Sequence, residues 1–186
     1  PDFAVSSLDI LVQNDIEIAA VITATDKPAG RGKKVMQSAV KRYALEKNLK
    51  ILQPKNLKSR RFLRELKALE ADLFIVVAFR MLPAAVFEMP PLGCVNLHAS
   101  LLPKYRGAAP INWAVINGET QTGCTTFFIE QKIDTGKIIF QETCDILPNE
   151  TAGELHDKLM KMGANLMLNT VKAVSYTHLT LPTTLV

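Results

Sequence analysis

The chain lacks the long apolar segments of a membrane protein and the paired cysteines of a disulfide framework. None of its apolar runs approaches the roughly 18–20 residues that span a bilayer, and no signal peptide is visible. Its three cysteines, Cys94, Cys124 and Cys144, are an odd number at wide spacing, without the C-x-x-C pattern of a metal site. We therefore expect a cytoplasmic protein whose cysteines are buried free thiols.

Several common catalytic motifs are also absent. The sequence has no G-x-S-x-G nucleophile elbow and no G-x-x-x-x-G-K-[ST] phosphate-binding loop. Its three histidines are too dispersed to indicate a metal centre. We therefore expect neither a serine nucleophile nor a bound metal.

The clearest positive signal is a pair of polar residues at the end of an apolar run. Asn96 and His98 end the segment 93–98, and residues two apart in a strand project to the same side. An asparagine amide can stabilise a developing oxyanion, and a histidine can exchange a proton near neutral pH. Asp134, in a loop between two predicted strands, is the best candidate to orient the imidazole and favour its charged form. Without a serine or cysteine nucleophile beside them, these residues favour direct transfer of an acyl group.

Each of these residues also has a structural interpretation. Asn96 could cap the turn after the strand, and His98, taken alone, is more often a satisfied core histidine. Asp134 could belong to a plain turn, because aspartate and glycine favour turns. The D-T-G triplet at 134–136 also occurs in aspartic proteases, but nothing else in the sequence suggests a β-barrel protease.

Apolar runs alternating with helical patterns predict an α/β fold with a doubly wound, mostly parallel sheet. The predicted strands are 17–23, 50–53, 72–79, 93–98, 122–129 and 137–146. Helices are predicted over 38–48, after an N-cap at Ser59, near 83–88, over 111–116, and after a capping box formed by Thr151 and Glu154. Ligands of such sheets bind beyond the carboxyl ends of strands, which is where Asn96 and His98 fall.

Basic residues concentrate in two places, although the formal net charge is only +4. The glycine-rich segment 26–34, predicted to be a loop, carries Arg31, Lys33 and Lys34. The second cluster comprises Lys55, Lys58, Arg60, Arg61 and Arg64. Clustered positive charge allows a polyanionic partner, but charge alone favours an ordinary solvated surface.

The last residues, 175–186, depart from the pattern of the rest of the chain. They show no helical period and continue no evident element. We therefore predict a domain over 1–174 and a non-domain tail over 175–186.

Taken together, these motifs resemble those of the folate-dependent formyltransferases. The segments that carry the resemblance are Asn96-x-His98, Ser100-Leu101-Leu102-Pro103-x-Tyr105-Arg106-Gly107-Ala108-x-Pro110-Ile111, Asp134-Thr135-Gly136 and the basic loop 27–34. The resemblance extends from Pro1 to about Val174, and the combination is specific although each motif alone is not.

The resemblance implies that the formyl group of 10-formyltetrahydrofolate passes to the α-amino group of methionine on initiator tRNA. Asn96 would polarise the formyl oxygen, and His98 would stabilise the oxyanion or move a proton. Asp134 would set the charge state of His98 and help to relay the proton from the amine. No metal would take part, and we expect a monomer.

The resemblance also implies two binding regions. The folate pocket would be lined by Ser100, Leu101, Leu102 and Pro103, and tRNA would be contacted by Arg31, Lys33 and Lys34. Two parts of the family pattern fall outside the sequence, namely a first strand before Pro1 and a C-terminal β-barrel domain. We therefore expect this polypeptide alone to be poorly stable and weakly active or inactive on tRNA.

Other acceptors and other roles remain open. The same three catalytic residues would serve a formyltransferase acting on glycinamide ribonucleotide, on a nucleotide-linked amino sugar, or on water. A small acceptor needs no long basic loop, so the segment 27–34 favours tRNA. An inactive tRNA-binding fragment is the alternative outside the enzymes.

Overall fold

The computed structural model describes residues 2–29 and 34–180 of the chain. The helices are α1 (Asp2–Gln13), α2 (Ala39–Glu46), α3 (Arg60–Lys67), α4 (Ala84–Phe87), α5 (Pro110–Ile116) and α6 (Ala152–Thr180). The strands are β1 (Val21–Ile22), β2 (Lys27–Ala29), β3 (Lys34–Met36), β4 (Ile51–Leu52), β5 (Phe74–Val77), β6 (Cys94–His98), β7 (Gln121–Phe128) and β8 (Ile138–Asp145). No helix in this part of the chain is long and apolar enough to cross a membrane.

The predicted α/β class is confirmed, but the sheet is more mixed than the sequence indicates. β1 pairs with β4 and β5 pairs with β6, both in parallel. β7 is antiparallel to both of its neighbours, so only one of the three pairings in the four-stranded sheet β5-β6-β7-β8 is parallel. The short connection 129–137 explains the last pair, because a parallel crossover needs a dozen or more residues.

Local signals for helix starts are confirmed at the predicted positions. The side chain of Ser59 accepts a hydrogen bond from the backbone N–H of Phe62 at 3.2 Å. The capping box is reciprocal, with Glu154 N donating to Thr151 Oγ1 at 3.2 Å and Thr151 N donating to Glu154 Oε2 at 2.9 Å. Each bond satisfies a backbone donor that the helix itself leaves unpaired.

The main hydrophobic core lies between the sheet and the helices α1 and α6. Val95 and Leu97 of β6 pack there against Leu155, Leu159 and Met167 of α6. A buried hydrogen bond of 2.8 Å between Thr126 and Thr170 satisfies two hydroxyls inside this core. A second core joins α3 to β4 and α4, with Leu52, Phe62, Leu66 and Val86. β6 pairs with β5 along one edge and with β7 along the other, and it packs on the main core, which fixes the two polar residues near its end.

Three predicted segments differ from the structure. The segment 26–34 is not simply a loop, because β2 lies within it and pairs in antiparallel with β3, which begins at Lys34; residues 30–33 lie outside the described part. The predicted strand 17–23 shortens to Val21–Ile22. The helix α1 was not predicted at all, although its buried Phe3, Ser7 and Leu11 follow a helical spacing.

The tail also differs from its prediction. α6 continues to Thr180 without a break, so residues 175–180 extend a helix that the sequence pattern ends earlier. Threonine, serine and histidine are only moderate helix formers, but adding residues to an existing helix avoids the cost of nucleation. Residues 181–186 lie outside the described part of the chain.

Replacing Gly123 by alanine is expected to destabilise the fold by about 3 kcal/mol or more. A Cβ at this position in β7 would overlap the backbone carbonyl oxygen of Glu142 in β8 and would lie 2.7 Å from the side chain of Leu101. Chemical denaturation monitored by circular dichroism measures the change.

The matched control is Gly153→Ala in the first turn of α6. Its Cβ would have no neighbour closer than the Thr151 hydroxyl at 3.9 Å. Alanine should therefore leave stability unchanged or raise it by about 0.5–1 kcal/mol. Equal stability of the two variants would contradict the close β7–β8 contact.

Candidate active site

A cavity of about 620 Å³ opens where the parallel strands β5 and β6 end. This is the edge at which ligands bind in α/β sheets, and the volume lies within the range of small-molecule sites. The cavity is lined by residues 76–82, 96–99, 107–112, 127 and 129–134, together with Phe3 and His156. All three predicted catalytic residues, Asn96, His98 and Asp134, are among them.

The Asn96 side chain faces this cavity from the middle of β6. It is half-buried, and it makes no hydrogen bond with the residues that the structure describes. Asn96 therefore caps no turn, contrary to its structural interpretation. Its amide remains available to donate to an oxygen atom placed in the cavity.

His98 is buried, with one ring nitrogen occupied by the protein. Its Nε2 lies 2.8 Å from the backbone carbonyl oxygen of Tyr105. A carbonyl oxygen can only accept, so this contact assigns a proton to Nε2. In the neutral ring Nδ1 is then unprotonated, and it is the atom that can take up a proton.

The carboxylate of Asp134 lies opposite that second nitrogen. Its Oδ2 is 3.7 Å from His98 Nδ1, and both side chains are largely buried, at 9% and 13% exposed. The same oxygen accepts a hydrogen bond of 2.8 Å from the backbone N–H of Gly107. Arg106 Nε donates to the backbone carbonyl of Asp134 at 2.9 Å, which fixes the loop that carries it. The predicted proximity of His98 and Asp134 is confirmed.

Four of the eight non-glycine residues with positive φ in the described part of the chain lie at or beside this site. Ala78, Tyr105, Ala109 and Asp134 have φ values of 48°, 55°, 54° and 50°. Non-glycine residues rarely adopt this conformation, and they persist where the surrounding structure determines them. The backbone around the cavity is therefore held in a conformation that local preferences do not favour.

The loop 104–107 is anchored on the side away from the cavity. The hydroxyl of Tyr105 donates to Glu119 Oε1 at 2.7 Å and accepts from Asn117 Nδ2 at 3.0 Å. Hydrogen bonds to Tyr105 and Lys104 hold the pKa of Glu119 below its usual value, so the carboxylate is charged near neutral pH. These contacts hold the backbone that bonds to His98 and, through Gly107, to Asp134.

Replacing Tyr105 by phenylalanine is expected to lower the turnover rate about fivefold while leaving the binding of substrates unchanged. The variant keeps the aromatic ring but loses the hydrogen bond to Glu119. If the loss raises the activation free energy by about 1 kcal/mol, the turnover rate falls by about this factor. Tyr43→Phe is the matched control, because Tyr43 also donates to a carboxylate, Asp9, at 2.7 Å, but lies away from the cavity. Steady-state kinetics compares the turnover rates of both variants with that of the wild type. A turnover rate of Tyr105→Phe equal to that of Tyr43→Phe would show that the hydrogen bond from Tyr105 to Glu119 has a structural role only.

The four residues predicted to line the folate pocket do not line this cavity. Ser100 and Leu102 are buried, and Thr125 Oγ1 donates to Ser100 O at 2.6 Å and accepts from Leu102 N at 3.2 Å. Leu101 is half-buried and Pro103 is exposed. In the structure these residues fix the loop between β6 and Tyr105, and their binding role stays a prediction.

The sequence analysis did not predict that the segment after β5 forms part of the cavity wall. Residues 76–82 line it, and Met81 is 70% exposed. The available signal was positional, because this segment follows β5 and adjacent parallel strands end at the same edge. His156 of α6 was also missed; its ring packs against Phe3 with centroids 5.5 Å apart.

The basic-loop residues can be placed only in part. Arg31 and Lys33 lie outside the described residues, and Lys34 begins β3 without a described side chain. The expectation that they contact tRNA therefore stays a prediction.

The cysteines contribute no nucleophile to the described site. All three are free thiols, as predicted, but Cys144 is half-buried and not buried as expected. Burial raises the pKa of Cys94 and of Cys124 to about 12, so neither forms a thiolate near neutral pH. No group of three histidine, cysteine or carboxylate side chains in the described residues could hold a metal ion. The site therefore offers a hydrogen-bond donor and a proton acceptor.

The α/β sheet brings an amide, an imidazole and a carboxylate to one cavity, and such a set can donate a hydrogen bond to an oxygen atom and move a proton. The family model described as formyl transferase matches residues 1–171, and the chain belongs to the formyl transferase family.

Two relatives are similar over nearly the whole chain. The chain is 62% identical to the methionyl-tRNA formyltransferase of Flavobacterium johnsoniae over 94% of its length and 55% of the relative's. It is 58% identical to the enzyme of the same name from Bacteroides thetaiotaomicron, over 94% and 54% of the two chains. The chain thus spans about half the length of these curated relatives.

Solved structures support the same fold. The phosphoribosylglycinamide formyltransferase of Anaplasma phagocytophilum has a TM-score of 0.79 at 22% identity, over 92% of this chain and 82% of the other. WlaRD, a sugar 3N-formyl transferase determined in the presence of dTDP and 5-N-formyl-THF, has a TM-score of 0.67 at 26% identity, over 92% and 59%.

Proposed function

We propose that this protein transfers a formyl group from 10-formyltetrahydrofolate to the amino group of methionine on initiator tRNA, in the cytoplasm. The observation that carries the proposal is the convergence of Asn96, His98 and Asp134 on one cavity in a chain of this family. The identities of 58–62% to two methionyl-tRNA formyltransferases favour tRNA as the acceptor.

Asn96 has the role of holding and polarising the formyl oxygen. Attack by the amine turns the formyl carbon tetrahedral and places negative charge on this oxygen. The amide of Asn96 is a neutral donor without a competing partner among the described residues, so it can bond to that charge as it forms.

His98 and Asp134 have the role of moving the proton. A bond forms between the amino nitrogen and the formyl carbon, and the bond between that carbon and N10 of the folate breaks. The amine loses one proton and N10 gains one. Because Nε2 is already protonated, the proton passes through Nδ1, which faces Asp134 Oδ2 at 3.7 Å. This distance exceeds a hydrogen bond, and we expect it to shorten when substrates close the site.

The cavity suits a flat donor molecule. Its walls carry apolar side chains, among them Val77, Phe79, Leu82 and Ile133, beside a few polar groups. Such a lining is typical of sites for ring-containing small molecules. The presence of 5-N-formyl-THF with WlaRD, which shares this fold, supports a formylated folate as the donor.

The direct test supplies the chain with 10-formyltetrahydrofolate and initiator tRNA charged with methionine. Formylmethionine released from the tRNA is then measured by mass spectrometry. Glycinamide ribonucleotide and a dTDP-linked amino sugar serve as competing acceptors in parallel reactions. Because the chain spans about half the length of its curated relatives, the same reactions are run with the protein extended to their length. Formylation of a small acceptor without formylation of the tRNA would overturn the proposed acceptor, and no transfer to any acceptor by either form would overturn the proposed reaction.

A further inference from the structure

The second basic cluster of the sequence forms one exposed surface in the structure. Lys55 and Lys58 lie in the turn after β4, and Arg60, Arg61 and Arg64 lie on α3; all five are exposed. The buried residues of the helix, Phe62 and Leu66, lie on its other face. We call these five residues the α3 basic surface.

No carboxylate of the described residues forms an ion pair with this surface, although the exposed Glu65 lies four residues after Arg61 on α3. None of its five side chains forms an ion pair or hydrogen bond within the described residues, and residues 51–64 contain neither aspartate nor glutamate. Other lysines of the chain are paired, as Lys158 is with Glu150 at 2.7 Å and Lys41 with Asp26 at 2.5 Å. The positive charge of the α3 basic surface is therefore available to a partner.

The placement of these charges does not favour the stability of the helix. Arg60 and Arg61 lie in the first turn of α3, which has no acidic residue. The amino end of a helix carries partial positive charge, so cations there are repelled by it as well as by each other. A bound polyanion would relieve both repulsions.

The surface is joined to the wall of the cavity. Arg80, which lines the cavity, donates from its guanidinium to the carbonyl oxygens of Pro54 at 2.6 Å and Lys55 at 3.3 Å. Lys55 therefore lies directly beside the segment 76–82. A polyanion whose reactive end enters the cavity can continue across this turn onto α3.

We propose that the α3 basic surface binds the sugar–phosphate backbone of the tRNA beside its aminoacylated end. This inference rests on the proposed function, which supplies a substrate with one phosphate per nucleotide. Arginine suits such a partner because its planar guanidinium donates two parallel hydrogen bonds to phosphate oxygens. Backbone contacts of this kind position the RNA and carry no sequence information.

The test compares two triple variants of the chain with the same change in charge. One removes three cations of the surface, Arg60→Gln, Arg61→Gln and Arg64→Gln. The control is Lys50→Gln, Lys161→Gln and Lys172→Gln, three exposed lysines on other parts of the molecule. Thermal unfolding of both variants establishes that each is folded, and Arg64→Gln alone replaces the first variant if it is not.

We expect the surface variant to bind charged initiator tRNA at least about tenfold more weakly than the wild type and the control to bind within about twofold. The slope of log K against log[salt] should flatten by about 2 to 3 units in the surface variant only, since each lost phosphate contact releases roughly 0.9 counterion on a duplex. The turnover rate at saturating tRNA should not change.

Equal affinities and salt slopes for the two variants would overturn the proposed surface. That result is distinguishable from failure of the proposed function, in which the wild-type chain transfers no formyl group to charged tRNA. Loss of turnover at saturating tRNA with unchanged affinity would also overturn the proposal, because it would assign the arginines to the reaction and not to RNA binding.

Discussion

Replacing Asp134 by asparagine is expected to lower the rate of formyl transfer by at least about 10²-fold, within the range of general acid–base catalysis. The asparagine oxygen can still accept the hydrogen bond from Gly107 N–H, so the loop should keep its conformation. The amide carries no charge and takes up no proton, so the partner of His98 Nδ1 is lost. Single-turnover measurement of formylmethionyl-tRNA, with both substrates saturating, isolates this step.

The matched control is Asp72→Asn, which removes an exposed carboxylate that forms no ion pair among the described residues. Its rate should equal that of the wild type. Binding of tRNA should change little in either variant, because Asp134 contributes to the reaction and not to RNA affinity. A wild-type rate for Asp134→Asn would remove Asp134 from the mechanism.

Replacing Asn96 by alanine is expected to lower the same rate by about 10²–10³, the usual effect of deleting one donor to an oxyanion. The substitution should leave stability nearly unchanged, because the Asn96 side chain forms no hydrogen bond within the described residues. The loss should appear in the turnover rate more than in the KM for either substrate, since the donor acts most strongly on the charge of the transition state.

Asn165→Ala serves as the control for the loss of an amide. Its Nδ2 bonds only to the carbonyl oxygen of Lys161 on the exposed side of α6, and its rate should be that of the wild type. A loss confined to KM in Asn96→Ala would contradict the oxyanion role and would assign this residue to substrate binding.

The predictable part of the site came from local geometry. Asn96 and His98 lie two residues apart in β6, and the alternation of side chains in a strand places both on the same face, where the cavity lies. The position of Asp134 was also predicted, because the chain returns to the same sheet edge between β7 and β8. Their catalytic roles came from the family resemblance and await the experiments above.

Other parts of the site could not be predicted from local patterns. The wall formed by 76–82 becomes part of the cavity only because β5 pairs with β6. The proton on His98 Nε2 depends on the carbonyl of Tyr105, whose position depends on Glu119 in a separate turn. The four residues assigned to folate binding are in a loop whose hydrogen bonds to Thr125 direct it away from the cavity wall.

The sequence by itself determined the α/β class, the helix caps and the pair of polar residues at the end of β6. Each of these follows from contacts within a few residues, where hydrophobic period and capping chemistry act directly. Tertiary structure alone decided the antiparallel pairings of β7, the extension of α6 to Thr180 and the contacts between His98, Tyr105 and Asp134. These features depend on which distant segments pack together. Burial of apolar side chains and strand pairing across the whole sheet decide that packing.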